Sequence, residues 1–140
     1  MNSYQIIDEP KPKSYERFVV DPLAILFVSI IVPLFWVPPL MGKFWIPVIW
    51  ILANGYFMGS PTLKRELLIA VLGLIGFLIL VFAIGFIVSH YNQPDIADSI
   101  GPYFQILMQG TFFFTLYLIV FKQAAPYAIH QYLKEQSSAS

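Results

Sequence analysis

Residues 67–88 form a run of 22 residues with no charge, no proline and no side-chain amide. As an α-helix this run rises about 33 Å, enough to cross a bilayer hydrocarbon core with modest tilt. Peptide groups left unpaired in hydrocarbon are costly, so the segment is expected to be a membrane-crossing helix, and the rest of the chain must fold around it.

The remainder is built in the same way. Of the 140 residues, 58% are hydrophobic and only 11% are charged, more apolar surface than one soluble domain of this size can hide. The sequence predicts an all-α polytopic integral membrane protein, a compact bundle of four transmembrane helices. The expected spans cover roughly residues 21–41, 44–59, 64–89 and 102–122 of a transmembrane domain over 19–134. Residues 1–18 read as a cytoplasmic N-terminal tail and residues 135–140 as a C-terminal tail. The first twenty residues hold Pro10, Pro12 and six charged side chains where a secretory signal needs its apolar stretch, so no cleaved signal is expected.

Local signals place the boundaries. Asp21-Pro22 joins an N-cap acceptor to the residue suited to the first helical position. Pro33 predicts a bend within the first span and Pro38-Pro39 its end, with Trp36 and Trp45 as interfacial anchors. The second run rises only about 24 Å, against a core of about 30 Å, so the first two segments also admit a re-entrant pair. Ser60-Pro61-Thr62 reads as a turn into the third span, and residues 89–101 as a polar, acidic loop. Pro102 opens the fourth run, and beyond Phe121 an interfacial or cytoplasmic helix is expected, bent at Pro126.

Cations set the orientation. With four crossings, Lys11, Lys13, Arg17, Lys64, Arg65, Lys122 and Lys134 share one side and Lys43 alone occupies the other. This asymmetry predicts a multi-pass protein of a bacterial inner (cytoplasmic) membrane with both termini in the cytoplasm. Lys64, Arg65 and Lys122 then sit where anionic lipid headgroups attract them, which makes membrane lipids the expected partners.

Several function classes fall away. Net charge is zero, so there is no clustered basic excess for nucleic acid. No cysteine is present, which removes disulfides, thiolate metal sites and thiol redox chemistry. No nucleophile triad, phosphate loop or paired catalytic acid is visible, so the chain is expected to be no enzyme and to need no cofactor. No span carries a charge near its centre, which argues against ion-coupled transport and voltage sensing. His90, Asp95 and Asp98 share the outer loop and are suitable metal ligands by type, but a solvated acidic loop accounts for them more simply. His130 reads as solvated near the cytoplasmic surface.

The polar groups that enter the spans are uncharged: Ser29, Asn54, Gln105, Gln109, Thr111 and Thr115. Gln105 and Gln109 stand one turn apart, and Thr111 and Thr115 repeat that spacing on an adjoining flank, giving the fourth helix a broad polar side. Gly55 and Gly59 beside Asn54 make a GxxxG spacing that permits close helix approach. Interhelical packing is the leading reading of these residues and a polar pore lining the second. The expected function is therefore a non-enzymatic structural or accessory protein, a homo-oligomer or a subunit of a larger envelope assembly. The alternatives are a small oligomeric channel or transporter with a polar, uncharged path, and a toxin-immunity membrane protein.

Overall fold

A computed structural model describes residues 18–35, 46–91 and 94–139, without the side chains of 32–35, 94–97 and 137–139. Among the described residues the fold is entirely helical, with no strand: α1 (Pro22–Phe35), α2 (Ile46–Met58), α3 (Leu63–Tyr91) and α4 (Pro94–Ala139).

Three of the helix termini have a clear local cause. The Asp21 carboxylate accepts the Leu23 N–H at 2.8 Å while the Asp21 carbonyl takes the Ile25 N–H at 3.2 Å, so Asp21 caps α1 and Pro22 fills its first position. At the end of α2, Gly59 adopts φ 69°. The Ser60 N–H reaches back to the Gly55 carbonyl at 2.9 Å and the Gly59 N–H to the Tyr56 carbonyl at 3.1 Å. This pair of bonds is the Schellman arrangement, which needs a left-handed residue that glycine supplies without Cβ strain. Thr62 then opens α3, its carbonyl accepting the N–H groups of Arg65 and Glu66 at 2.8 and 3.0 Å.

Two of the four helices are long and apolar enough to cross a membrane: Leu63–Tyr91, with 29 residues, and Asp98–Gln136 within α4, with 39. Only 17% of the most apolar window of α3 is buried within the chain, and only 28% of that of α4. The other two helices have 14 and 13 residues and rise about 21 and 20 Å, well short of a core of about 30 Å. Four full crossings are therefore not supported by the described helices. Trp36, Pro38, Pro39, Lys43 and Trp45, on which the expected exit and return depended, lie outside the described residues. Pro33 falls in the last turn of α1, which continues to Phe35.

The outer loop expected over residues 89–101 is mostly helix. Tyr91 ends α3 and Pro94 opens α4, leaving only residues 92–93 between them. α4 then runs through both Pro102 and Pro126. A helical proline deprives the carbonyl four residues earlier of its partner. At Pro126 that carbonyl belongs to Lys122, and the Thr62 hydroxyl lies 3.5 Å from it.

α3 and α4 run antiparallel. Glu66 meets Gln123, and a Cβ added to Gly73 would strike the Thr115 side chain. Further along, one added to Gly76 would lie 3.7 Å from Thr111 Cγ2. α4 touches each of the other three helices, and α2 touches both α1 and α3. The apolar core gathers where they converge: Ile25 of α1, Val48 and Ile51 of α2, Ala70 of α3, and Phe112, Leu116, Ile119 and Val120 of α4.

Candidate functional site

At one end of the bundle the start of α1, the end of α2, the start of α3 and the middle of α4 come together around a buried polar cluster. Its members are Asn54, Ser60, Thr62, Glu66 and Gln123. Asn54 is 1% exposed, and Glu66 and Gln123 are 0% exposed.

Asn54 grips the backbone of Val20 at both ends of its amide. The Val20 N–H donates to Oδ1 at 2.7 Å, and Nδ2 donates to the Val20 carbonyl at 2.9 Å. Because the two backbone groups are fixed in kind, this contact also fixes which way the amide points. The chain entering α1 is thus held against α2 by a two-point bond resembling a step of a β-ladder.

Gln123 is oriented by the same logic. Its Nε2 donates to the Ile51 carbonyl at 2.7 Å and to Glu66 Oε2 at 2.7 Å, two groups that only accept. Its Oε1 receives a longer bond, 3.4 Å, from Asn54 Nδ2. Both hydrogens of each amide are therefore used. The other Glu66 oxygen, Oε1, accepts from Ser60 Oγ at 2.8 Å and Thr62 Oγ1 at 2.6 Å. Among the described residues no fully buried side-chain nitrogen or oxygen lacks a partner.

A buried carboxylate is expensive unless hydrogen bonds replace its water, and here three donors from the turn and from α4 do so. The network ties four segments at a single level: α1 through Val20, α2 through Asn54 and Ile51, α3 through Glu66, and α4 through Gln123. Gly55 makes room for it. A Cβ at that position would lie 2.5 Å from both Gln123 Nε2 and Glu66 Oε2.

The residues singled out from sequence fall into three groups. Asn54 and Gly55 belong to the cluster, whereas Gly59 serves the helix terminus described above. Thr111 and Thr115 turn their hydroxyls onto carbonyls of their own helix, those of Leu107 and Thr111, at 2.9 and 2.7 Å, and Ser29 does the same to Ile25 at 2.6 Å. Gln105 is exposed and Gln109 half-buried, and neither amide bonds to another described residue.

Lys64, Arg65 and Lys122 are exposed beside the cluster, at the same end of the bundle. His90 stacks on Phe86 at a centroid distance of 5.8 Å and meets Tyr91 edge-on at 5.4 Å. Asp98 is exposed, and the Asp95 side chain lies outside the described set. Among the described residues no group of three or more metal-ligating side chains gathers. His130, expected to be solvated, is 6% exposed.

The sequence reading missed Ser60, Thr62, Glu66 and Gln123. Ser60 and Thr62 read from sequence only as a turn, Glu66 is not singled out, and Gln123 lies one residue past the expected end of the fourth span at 122. A signal was present: Gln105, Gln109, Phe112, Leu116, Ile119 and Gln123 follow at spacings of 4, 3, 4, 3 and 4, one continuous helical stripe. In comparisons with protein-family models, characterised proteins and solved structures, the chain matches none.

Proposed function

We propose that this chain is a non-enzymatic structural or accessory protein of a bacterial inner membrane, working as a homo-oligomer or as a subunit of a larger envelope assembly. The observation that carries the reading is the fate of its polar groups. Asn54, Glu66 and Gln123 find hydrogen-bond partners on other helices of the subunit, which is how polar residues act as interhelical fasteners in lipid, while Thr111 and Thr115 bond within their own helix. The two-point bond of Asn54 to Val20 favours a fastening role for Asn54 over a pore lining.

The membrane location is supported by the outward surface of the two long helices. Leu68, Leu72, Ile79, Phe82 and Phe86 of α3 are 59, 58, 61, 74 and 69% exposed, a continuous apolar covering that water would penalise and acyl chains would not. In the topology we propose, α3 and α4 cross the bilayer. The α1–α2 pair enters and leaves by the face that carries Lys64, Arg65 and Lys122, without reaching the other side. Both termini are then cytoplasmic. The absence of cysteine makes this accessible to labelling: Lys43→Cys should resist a membrane-impermeant maleimide added outside, and efficient labelling there would show a full crossing instead.

The functional reading is tested by purification in mild detergent. The expected result is a particle with more than one copy of the chain, or with a stoichiometric protein partner. A strict monomer with nothing bound would remove the basis for an oligomer or subunit.

A further inference from the structure

We infer that Arg65 and Lys122 together hold the phosphate of one anionic phospholipid at the rim of the α3–α4 seam. The inference rests on the membrane location proposed above and not on the oligomeric reading.

The packing of the two long helices brings these cations together. Gly76 meets Thr111, Gly73 meets Thr115 and Glu66 meets Gln123, a regular antiparallel pairing that puts Arg65 level with Lys122. Helical phase then sets the face each occupies. Arg65 precedes Gly76 by eleven residues and Lys122 follows Thr111 by eleven, about three full turns in both cases, so each cation shares the face that its helix turns toward the other. The Thr62 hydroxyl, 3.5 Å from the Lys122 carbonyl, holds the start of α3 against this part of α4. Lys64 stands two positions before Glu66, on the side of α3 away from α4.

Among the described residues nothing neutralises the pair. Arg65 and Lys122 are both exposed, and neither forms an ion pair with a described residue. Glu66, the carboxylate beside Arg65 in sequence, is fully buried and already accepts from Ser60, Thr62 and Gln123. Arg65 also lies in the first turn of α3, where the positive end of the helix dipole favours an anion and not a cation. Two like charges at one level beside a helix N-terminus make a field that a phosphate, accepting from both, relieves.

The surface beneath selects a lipid over a free anion. Leu68, Leu72 and Ile75 follow Arg65 at helical spacing on the same side of α3 and are 59, 58 and 48% exposed. They make an apolar track about 15 Å long, the depth of one leaflet of a core of about 30 Å. A cationic clamp above such a track matches a phosphate joined to an acyl chain, whereas a free anion would meet the clamp alone.

The test uses the purified full chain in mild detergent and reads its unfolding midpoint as dioleoylphosphatidylglycerol, dioleoylphosphatidylcholine or inorganic phosphate is added. The phosphatidylglycerol should raise the midpoint saturably, and the other two should not. Arg65→Gln and Lys122→Gln should each keep the lipid-free midpoint of the parent and need about tenfold more phosphatidylglycerol for half the shift. Lys64→Gln removes the same charge away from the seam and should need less than about twofold more. Equal weakening by Lys64→Gln would reveal a general attraction of the cationic rim and overturn the assignment. So would an equal shift with inorganic phosphate, or no shift with phosphatidylglycerol. Each of these results leaves the membrane location standing; a chain that stays dispersed in buffer without detergent would remove both.

Discussion

The most economical probe of the buried cluster is a single methyl group, Gly55→Ala. The new Cβ would lie 2.5 Å from Gln123 Nε2 and 2.5 Å from Glu66 Oε2, where ordinary contacts need about 3.5 Å, so each atom must retreat by about 1 Å. Neither is the free end of a loose side chain. Gln123 is pinned by two bonds of 2.7 Å, to Ile51 and Glu66, and retreat lengthens at least one of them beyond hydrogen-bonding distance. Overpacking costs about 1–3 kcal/mol and a buried group left without its partner about 1–3 kcal/mol, against about 1 kcal/mol returned by the better helix propensity of alanine. The expected net loss is about 1–5 kcal/mol, centred near 3. The assay is reversible unfolding by a denaturing detergent titrated into mild-detergent micelles, followed by tryptophan fluorescence. Gly110→Ala is the control, because nothing lies within 4 Å of its Cβ position and the variant should match or exceed the parent. If Gly55→Ala unfolds at the same point as the parent or later, the packed cluster is not there.

Two further changes separate hydrogen bonding from shape. Glu66→Leu strands one Gln123 N–H in a buried site, while the Ser60 and Thr62 hydroxyls, 2.8 Å apart, can turn to each other, and it should cost at least about 2 kcal/mol, whereas Glu66→Gln should cost about 1 kcal/mol or less in the same titration. In the milder variant the new amide oxygen can face Gln123 and the new NH2 the reorientable hydroxyls of Ser60 and Thr62; equal losses from the two variants would contradict this account of the site. Gly59→Ala forces a Cβ into φ 69° and should lose about 1 kcal/mol through the end of α2, without the larger penalty expected at Gly55; a loss as large as that of Gly55→Ala would show that Gly59 also packs against the cluster.

Much of the scaffold was legible because its causes are local. The run over 67–88, the Asp21-Pro22 cap and the Ser60-Pro61-Thr62 turn each act within a few residues, and α3, the start of α1 and the α2–α3 connection follow from them. The helicity of residues 94–101 was obscured by polarity and by two prolines, since α4 runs through Pro102 despite the lost backbone bond. At Pro126, the contact between Thr62 and the orphaned Lys122 carbonyl is long-range and has no sequence signature.

The cluster was half legible for the same reason. Asn54 and Gly55 stood out as a polar and a small residue inside an apolar run. Glu66 and Gln123 did not stand out, since they adjoin Lys64, Arg65 and Lys122 in sequence rather than lying inside an apolar run. Helical geometry separates them: Glu66 and Gln123 turn inward and are fully buried, while their charged neighbours remain exposed. Proximity along the chain misled where facing around the helix decides.

The central claim is that α3 stands in lipid with its start beside a polar knot at one membrane face. Spin labels on single cysteines at Leu68, Ile75, Ile79 and Phe82, in the reconstituted full chain, test it through their relative accessibility to oxygen and to a water-soluble nickel chelate. The account predicts that oxygen accessibility rises and chelate accessibility falls from Leu68 toward Ile75 and Ile79, with the trend reversing toward Phe82. High chelate accessibility at all four positions, as on a helix in water, would contradict it.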